Sequence, residues 1–469
     1  MIFSSLEFIV FFIIYFLIHA VIPNKLRIFA LLISSAVFYS FWKVSFLWLP
    51  FFLITIAHLG LQWILNGKKE SKKIRLVTII FLLVLPLAVF KYSNFLYQDI
   101  IGLFFEGTKK LVNDELPLGI SFITFTLIAY VVDISTNRYT PKPNMTTATT
   151  YTVFFPHLIA GPIMRPKELI PQFIKYRFHT KWFYLGLFVF SIGLVKKVVF
   201  ADQLGLVVEP IYKNSIEPLH SILDFWLAFY SFPIQIYCDF SGYTDMAIGL
   251  AFMLGIRFPI NFNRPYLAAS IAEFWHRWHI TLSHWIRDYI YIPLGGNRKG
   301  LARQIYNLMI AMGIAGLWHG ASWTFILWGL VHGVGIAFSH LIKYVKFLYF
   351  INFIPKWMKI FIVFHLISLS WVLFRAGDLQ TFYYVLNGLI GVDVIDIQNI
   401  DLISSIMPLI LILVILVLHP FDTLSRMRLA NIKLRNISLF VYFAVISFMW
   451  IFSIVMGTGS SAEFIYFDF

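Results

Sequence analysis

Histidines embedded in apolar sequence are the residues of this chain best suited to chemistry. His319 stands in the run Ala-Gly-Leu-Trp-His-Gly-Ala-Ser-Trp, between two strongly apolar stretches. Placing an imidazole there costs free energy unless its nitrogens form hydrogen bonds or the ring has a function. Its titration near neutral pH suits general-base catalysis. The flanking Gly316 and Gly320 would let a substrate or another helix approach closely. We interpret His319 as a candidate general base, with a structural role as the alternative.

A second stretch, 273–288, places three histidines among Trp and Arg residues. On a helix, His276 and His279 would share a face at i,i+3, which is also a spacing for a metal pair. Zinc takes three or four ligands, and no carboxylate or cysteine completes a recognisable set, so we predict no metal. A structural or interfacial role is favoured for His276 and His284, and the role of His279 stays open. The sequence also lacks a Gly-rich phosphate loop, a GxSxG elbow and an HExxH motif.

The composition indicates that lipid surrounds the elements that carry these residues. Of 469 residues, 59% are hydrophobic and 13% are charged, whereas globular chains have about 45–50% apolar and about 25% charged residues. The net charge of +14 comes from short Lys and Arg clusters between apolar runs. This pattern is typical of cytoplasmic loops and not of a nucleic-acid surface. Cys238 is the only cysteine, so an internal disulfide is excluded.

We predict an all-α integral membrane protein with about twelve spans in a single domain over residues 1–469. The first run has no cationic head or small-residue cleavage site, so we interpret it as a span and not as a signal peptide. The apolar runs long enough to span lie near 6–22, 26–42, 45–65, 76–96, 118–134, 183–204, 222–254, 305–318, 322–342, 358–375, 403–420 and 437–456.

Loop charge predicts the orientation. The first loop and the segment 68–75 are basic, as is 422–435, and these should be cytoplasmic. The segment 377–402 has four Asp residues and no Lys or Arg, and should be external. Both termini are then external, which requires an even number of spans. The doublet Lys196-Lys197 interrupts an apolar run, and we weigh a functional role against snorkelling or pairing with Asp202.

Two stretches differ from plain spans. The first, 154–165, is broken by Pro156, Gly161 and Pro162, and the second, 266–293, is dense in Trp, His and Arg. Irregular backbone and charge at membrane depth are tolerated only against protein or a water-filled cavity. We therefore predict re-entrant or interfacial helices lining a central funnel.

Several motifs resemble those of the membrane-bound O-acyltransferase family. The similar branch includes the alginate and peptidoglycan O-acetyltransferase membrane subunits and the D-alanyl transferase of teichoic acids. The motifs occur in order from about residue 116 to the C-terminus. They are Leu-Pro-Leu-Gly-Ile-Ser-Phe (116–122), Ala-Gly-Pro-Ile (160–163), Asp-Phe-Ser-Gly-Tyr-Thr-Asp-Met-Ala-Ile-Gly-Leu (239–250), Asn-Phe-Asn-Arg-Pro-Tyr-Leu (261–267), Tyr-Ile-Pro-Leu-Gly-Gly-Asn-Arg (291–298) and Trp-Val-Leu-Phe-Arg-Ala (371–376).

The resemblance implies acyl transfer inside a membrane funnel. The family's invariant histidine, in Leu-Trp-His-Gly, corresponds to His319, and the second family histidine, in Trp-His-Ile, corresponds to His279. The ending Phe-Ile-Tyr-Phe-Asp-Phe resembles a C-terminal motif of the same branch, which implies that Tyr466 carries the acyl group on an external tail, 457–469. Without the resemblance, this tail would be interpreted as frayed or as an aromatic interface anchor.

The resemblance implies the following reaction. Acetyl-CoA docks from the cytoplasm, where basic side chains attract its phosphates: Arg298, Lys299 and Arg303. His319 acts as base for the Tyr466 hydroxyl, while His279 positions or polarises the thioester carbonyl. A separate external partner resembling an SGNH hydrolase then acetylates a polysaccharide similar to peptidoglycan or alginate.

This expectation places the chain in a bacterial inner membrane, among lipids and without a nucleic-acid partner. Two alternatives stay open at this point: a non-enzymatic glycolipid transporter or flippase, and an acyltransferase acting directly on a lipid hydroxyl.

Overall fold

The computed structural model describes residues 1–103, 115–140, 142–174, 179–213, 220–342, 344–392, 394, 402–422, 438–457 and 465. These residues form nineteen α-helices and contain no strand. Helices α1 to α9 are Leu6–Val21, Asn24–Ser40, Trp48–Asn66, Lys72–Phe95, Ile120–Ser135, Met145–Val153, Phe155–Leu158, Pro166–Ile174 and Thr180–Val195. Helices α10 to α19 are Asp202–Tyr212, Ile222–Met253, Ile271–Trp275, Ile280–Ile286, Leu301–His319, Trp323–Leu341, Lys356–Arg375, Leu379–Leu389, Leu402–Leu418 and Leu439–Met456.

Each of the twelve predicted apolar runs overlaps a helix, and the chain is an all-α membrane protein. Within the described residues, six helical segments are long and apolar enough to cross a membrane: Val44–Asn66, Lys69–Ile100, Thr180–Tyr212, Trp323–Leu341, Lys356–Arg375 and Leu439–Met456. Helices α1 and α5 have 16 residues each, which is about 24 Å of helix against about 30 Å of hydrocarbon. The count of twelve spans therefore stays a prediction.

The chain divides into two compact units. The first contains Met1–Phe190 and Met246–Pro259, and the second contains Ser191–Asp245 and Ile260–Phe469. Whether they work as the predicted single domain is untested. All the site residues predicted from the sequence belong to the second unit.

The first unit is built on aromatic packing. Phe8 of α1 meets Phe38 of α2 edge to face, with ring centroids 5.8 Å apart, and both rings also contact Phe155. The irregular stretch 154–165 contains the four-residue helix α7 and then non-helical, largely buried backbone. The Tyr151 hydroxyl holds this backbone by donating to the Met164 carbonyl at 2.8 Å. Irregular backbone packed against protein is what the prolines predicted, while the funnel itself is untested.

The second unit carries the residues of chemical interest on short helices beside a hairpin of two longer ones. Helices α14 and α15 are joined by three residues, and the Ser322 hydroxyl caps α15 by accepting the Thr324 N–H at 3.3 Å. The stretch 266–293 contains α12, α13 and a π-helical turn, Arg287–Tyr291. A second π-helical turn, Lys196–Ala201, leads into α10. Such turns occur frequently at functional sites.

Candidate active site

His279 begins helix α13 in a conformation that few non-glycine residues adopt. Its φ is 41° and its ψ is 55°, in the left-handed region. The imidazole is 0% exposed, and the next residue, Ile280, donates its N–H to the Asn261 carbonyl at 2.9 Å. A strained backbone persists only where its surroundings over-determine it, and such residues cluster at active sites. The turn thus directs an imidazole into the protein interior.

The Asn261 side chain sets the orientation and the tautomer of His279. Its Oδ1 lies 3.1 Å from the Thr281 nitrogen, 2.9 Å from the Thr281 hydroxyl and 3.2 Å from Nδ1 of His279. Because a backbone N–H can only donate, the Asn261 atom facing it is the oxygen. Nδ1 of His279 must then carry the proton and donate to that oxygen. Nε2 is left as an acceptor, and it is buried with no hydrogen-bond partner among the described residues.

This arrangement decides what His279 can do chemically. Burial lowers the pKa of His279 to about 3, so the ring is neutral at physiological pH. A neutral ring with its proton on Nδ1 can accept a proton or a hydrogen bond at Nε2. It cannot donate one there to a carbonyl. The sequence left positioning or polarising the thioester carbonyl as the roles for His279, and an Nε2 that can only accept does not suit polarising that carbonyl. The geometry instead suits accepting a hydrogen bond from a hydroxyl.

We expect Asn261→Leu to reduce acyl transfer about 10- to 100-fold, because His279 loses its orienting hydrogen bond. The Thr281 donors would also lose a buried acceptor, costing about 1–3 kcal/mol of folding free energy. Steady-state rates and thermal unfolding of the purified protein measure the two effects. Asn261→Asp keeps an oxygen in the same place and should retain more activity than Asn261→Leu. Equal rates for the two variants would contradict the orienting role.

His319 is the last residue of α14 and is 3% exposed. Its ring centroid lies 5.1 Å from that of Trp328 and 5.1 Å from that of Phe374. The Trp318 indole contacts both candidate histidines, with ring centroids 4.7 Å from His319 and 6.1 Å from His279. Two histidines 40 positions apart in the sequence are therefore brought against the same indole.

Tryptophans wall off this region from water. Trp278, Trp328 and Trp371 are among the largest fully buried side chains, and the Trp371 ring centroid lies 5.1 Å from that of Trp278 and 5.7 Å from that of Trp328. Low polarity strengthens each electrostatic interaction inside. The aromatic wall therefore makes the pair of imidazoles suitable for acid–base work.

A third buried histidine, His332 of α15, has a different character. Its Nδ1 accepts the Trp275 indole N–H at 3.2 Å, and its Nε2 lies 3.1 Å from the Ser370 hydroxyl. That hydroxyl in turn donates to the Ile367 carbonyl at 2.7 Å. Both ring nitrogens are thus engaged, which fits a structural role.

The glycines beside His319 allow helices and rings to approach it. A Cβ on Gly316 would lie 2.1 Å from the Phe325 carbonyl oxygen, and one on Gly320 would lie 2.0 Å from the Phe325 ring. The partner that approaches is therefore helix α15, which was one of the two possibilities that the sequence left open.

We expect Gly316→Ala to destabilise the fold by about 1–3 kcal/mol, because backbone atoms of α15 must move. Gly313→Ala on the same helix is the matched control, since its Cβ would meet nothing closer than a Leu330 methyl at 3.6 Å. Thermal unfolding of the purified protein in detergent measures both. A Gly313→Ala variant as destabilised as Gly316→Ala would show that the close approach is not the cause.

A cavity of about 850 Å³ lies in the second unit beside α12, α13 and α14. His276, His284 and Arg287 line it and are exposed, and the half-buried His340 and Lys359 also line it. His276 ends α12 whereas His279 begins α13, so the helical face that would have paired them is broken. No group of three His, Cys, Asp or Glu side chains in the described part of the chain is placed to hold a metal ion.

The basic residues predicted to attract the donor stand next to this cavity in the sequence. Arg298 and Lys299 are exposed in the loop before α14, and Arg303 is exposed in its first turn. Their sequence neighbours Asn297 and Gln304 line the cavity. The three cations themselves do not line it.

The remaining predictions concern the lysine doublet and the C-terminal tail. Lys197 pairs with Asp202, its Nζ 2.8 Å from Oδ1, as one of the sequence alternatives predicted. Lys196 pairs with Asp245 at 2.8 Å and with Asp422 at 3.0 Å. Burial alone would raise the pKa of Asp422, but the Lys196 ammonium and the Tyr237 hydroxyl hold it below its ordinary value.

Tyr466 lies outside the described residues, whereas Ile465 is described.

Sequence reasoning missed Asn261 as a site residue, and it missed Trp318 as the shared neighbour of the two histidines. Asn261 is a polar residue about seven positions after the apolar run 222–254, and it begins the motif Asn-Phe-Asn-Arg-Pro-Tyr-Leu. That position was the available signal for it.

Comparison with known proteins gives the family of this chain. The MBOAT, membrane-bound O-acyltransferase family model matches residues 28–385, a region that includes both His279 and His319. The chain is 38% identical over 394 residues to the probable alginate O-acetylase AlgI of Azotobacter vinelandii, covering 81% of this chain and 76% of that protein. It is 35% identical over 425 residues to the peptidoglycan O-acetyltransferase of Helicobacter pylori, covering 82% and 78%. It is also 26% identical over 286 residues to the teichoic acid D-alanyltransferase of Streptococcus thermophilus, covering 55% and 62%.

The apolar helices and the matched family thus define a multi-pass membrane enzyme, and the relatives give its class. The chain belongs to the membrane-bound O-acyltransferase family. It is an acyltransferase.

Proposed function

We propose that this enzyme takes an acetyl group from cytoplasmic acetyl-CoA and passes it, through Tyr466, to an external partner that O-acetylates a polysaccharide. The observation that carries the proposal is the pair of buried imidazoles on one indole, with His279 held by Asn261 and its Nε2 left as an acceptor. The names of the alginate and peptidoglycan relatives support acetyl as the acyl group and a polysaccharide as the final acceptor.

The donor is proposed to enter the cavity beside α12 to α14. Its lining contains the cationic or ionisable side chains of Arg287, Lys359 and three histidines, with apolar walls from residues such as Ile336 and Met312. Arg298, Lys299 and Arg303 would attract the phosphates of the donor from the solvent side. A site with charges at its edge and apolar walls suits a nucleotide thioester whose acyl end is small.

The first transfer moves the acetyl group from sulfur to oxygen. The Tyr466 phenol attacks the thioester carbonyl, its O–H proton passes to His319, the new carbon–oxygen bond forms and the carbon–sulfur bond breaks. His319 then returns the proton to the leaving thiolate. A phenol with a pKa near 10 is a poor nucleophile unaided. A base must therefore be adjacent, and Nε2 of His279 is suited to orienting the hydroxyl.

The second transfer is external. An SGNH-hydrolase-like partner takes acetyl from the tyrosine ester to a sugar hydroxyl, which regenerates the phenol. Membership of an acyltransferase family decides against a non-enzymatic transporter. Direct transfer to a lipid hydroxyl is the remaining rival, and it needs no tail tyrosine.

Mass spectrometry of the purified full-length enzyme after incubation with acetyl-labelled CoA separates these possibilities. We expect free thiol to be released and the label to appear as an ester on Tyr466. Label that appears in co-purified lipid and never in the protein would favour the lipid acceptor. An enzyme that leaves the thioester intact would overturn the proposed donor.

The proposed orientation, with both termini outside a bacterial inner membrane, makes a labelling prediction. Single cysteines at Lys72 and Arg428 should react with a membrane-impermeant thiol reagent only after the cells are permeabilised, and a cysteine at Asp396 should react in intact cells. The native Cys238 is buried, so the parent protein is the unlabelled control. Reaction at position 72 in intact cells would reverse the proposed direction of acyl flow.

A further inference from the structure

A buried charge cluster in the second unit joins three separate parts of the chain. Lys197 is 3% exposed at its side chain and lies 2.8 Å from a carboxylate oxygen of Asp202 and 2.8 Å from Oδ1 of Asp239. Its neighbour Lys196 forms ion pairs with Asp245 and Asp422. Such charges are stable in the interior only when each is paired. The acyl-transfer steps proposed above use none of them.

Close packing brings the two sides of this cluster together. A Cβ on Gly242 of α11 would lie 2.8 Å from the Gly193 carbonyl oxygen and 3.1 Å from the Lys197 nitrogen. Only a residue without a side chain lets α11 approach the π-helical turn Lys196–Ala201 this closely. Asp239, less than one turn before Gly242 on α11, is thereby placed against Lys197.

The last helix and the tail make hydrogen bonds to the helices α9, α10 and α11, which surround this turn. The Trp450 indole of α19 donates to the Ser191 hydroxyl at 2.8 Å, and the Gln203 side-chain amide donates to the Met456 carbonyl at the end of that helix. Beyond it, the N–H of Ile465 donates to Oδ2 of Asp239 at 2.8 Å, and Ile465 is 5% exposed. One carboxylate therefore accepts from Lys197 on one oxygen and from the tail backbone on the other.

The helix that carries this carboxylate also contacts the candidate catalytic histidine. Phe240 follows Asp239 in α11, and its ring meets the His279 ring edge to face, with centroids 4.7 Å apart. Ile465 precedes Tyr466 in the chain. The hydrogen bond of Asp239 to Ile465 thus ties the residue before the proposed acyl carrier to the helix that touches His279.

We propose that Asp239 is a positioning residue for the C-terminal tail: paired with Lys197, its carboxylate accepts the main-chain N–H of Ile465 and so fixes the residue before Tyr466 against helix α11, whose Phe240 contacts the His279 ring. The inference deepens the proposed function, on which its catalytic meaning rests. Asp202 and Lys197 act through Asp239 by fixing its carboxylate. A backbone acceptor of this kind positions the tail whatever side chain residue 465 carries.

Hydrogen exchange of the tail amide tests the contact without any turnover. Asp239→Asn and Asp239→Leu both remove the charge that faces Lys197, but only Asn keeps an oxygen acceptor for the Ile465 N–H. Exchange at Ile465, followed by mass spectrometry of C-terminal peptides from the full-length protein, should be about 10- to 100-fold faster in Asp239→Leu than in the parent. Asp239→Asn should stay closer to the parent. Unchanged exchange in Asp239→Leu would overturn the proposal.

A second pair of variants leaves the charge cluster intact. Ile465→Pro removes the N–H donor, whereas Ile465→Val keeps it and trims one methylene. We expect Ile465→Pro to bind acetyl-CoA with parental affinity and to form the Tyr466 ester at least about tenfold more slowly, and Ile465→Val to resemble the parent. Parental ester formation by Ile465→Pro would overturn the positioning role. If the parent itself forms no ester, the proposed function fails, while the exchange measurement still decides whether Asp239 holds the tail.

Discussion

Replacing His319 by Ala should lower acyl transfer by about 10²–10⁴-fold while leaving a folded protein in the membrane. The expected loss is that of a positioned general base, which is effective here because aromatic rings exclude water around it. His319 is the last residue of α14, and its truncation removes ring contacts with Trp318, Trp328 and Phe374. Release of free thiol from acetyl-CoA by purified protein, at matched expression, measures the rate.

His365→Ala is the matched histidine control, because His365 pairs with Tyr230 away from the indole that links His279 and His319. It should retain near-parental turnover. His319→Gln, which keeps polarity but cannot serve as a base near neutral pH, should be as inactive as His319→Ala. Parental turnover by His319→Ala would remove His319 from the mechanism.

The second large effect is expected from Tyr466→Phe, which keeps the ring and removes only the oxygen that would carry acetyl. This variant should bind acetyl-CoA normally, form no tail ester and pass no acetyl to the partner. Loss of the covalent intermediate is all or none, so polysaccharide acetylation should fall to background. Intact-protein mass spectrometry and acetyl content of the polysaccharide are the two measurements.

Tyr344→Phe provides the control, since Tyr344 is 65% exposed and lies in the turn after α15. It should form the ester at the parental rate. Polysaccharide acetylation at the parental rate by Tyr466→Phe would mean that the acceptor comes directly to His319 without a tyrosine carrier.

The helices were predictable from the sequence because an apolar run is sufficient evidence for one. Stretches such as 45–65 and 437–456 became α3 and α19 with little change of boundary. Spanning was harder to predict, because a run near 17 residues can form a helix shorter than the hydrocarbon thickness. The Lys197–Asp202 pair was also within reach, since its partners are five positions apart.

The parts of the site that depend on distant residues were not predictable. Asn261 is 18 positions from His279, and Asp239 is 226 positions from Ile465. No local sequence pattern indicates which of these distant polar side chains will form hydrogen bonds with each other in the folded chain. The break between α12 and α13 was equally hidden, because residues 273–288 contain no Pro or Gly to mark a helix end. The sequence therefore predicted one helical face that carries both His276 and His279, whereas the chain turns between these two residues.

The left-handed backbone at His279 also bears on how such a site evolves. A chain selected for stability alone would accept Gly or Asn at φ 41°, because every other side chain there costs about 1–2 kcal/mol. Histidine at this position lowers the stability of the fold, and it also fixes the orientation of a buried imidazole. Substitution of His279 by Gly would remove the backbone strain and, at the same time, remove the imidazole. Stability and chemistry at position 279 therefore favour different residues.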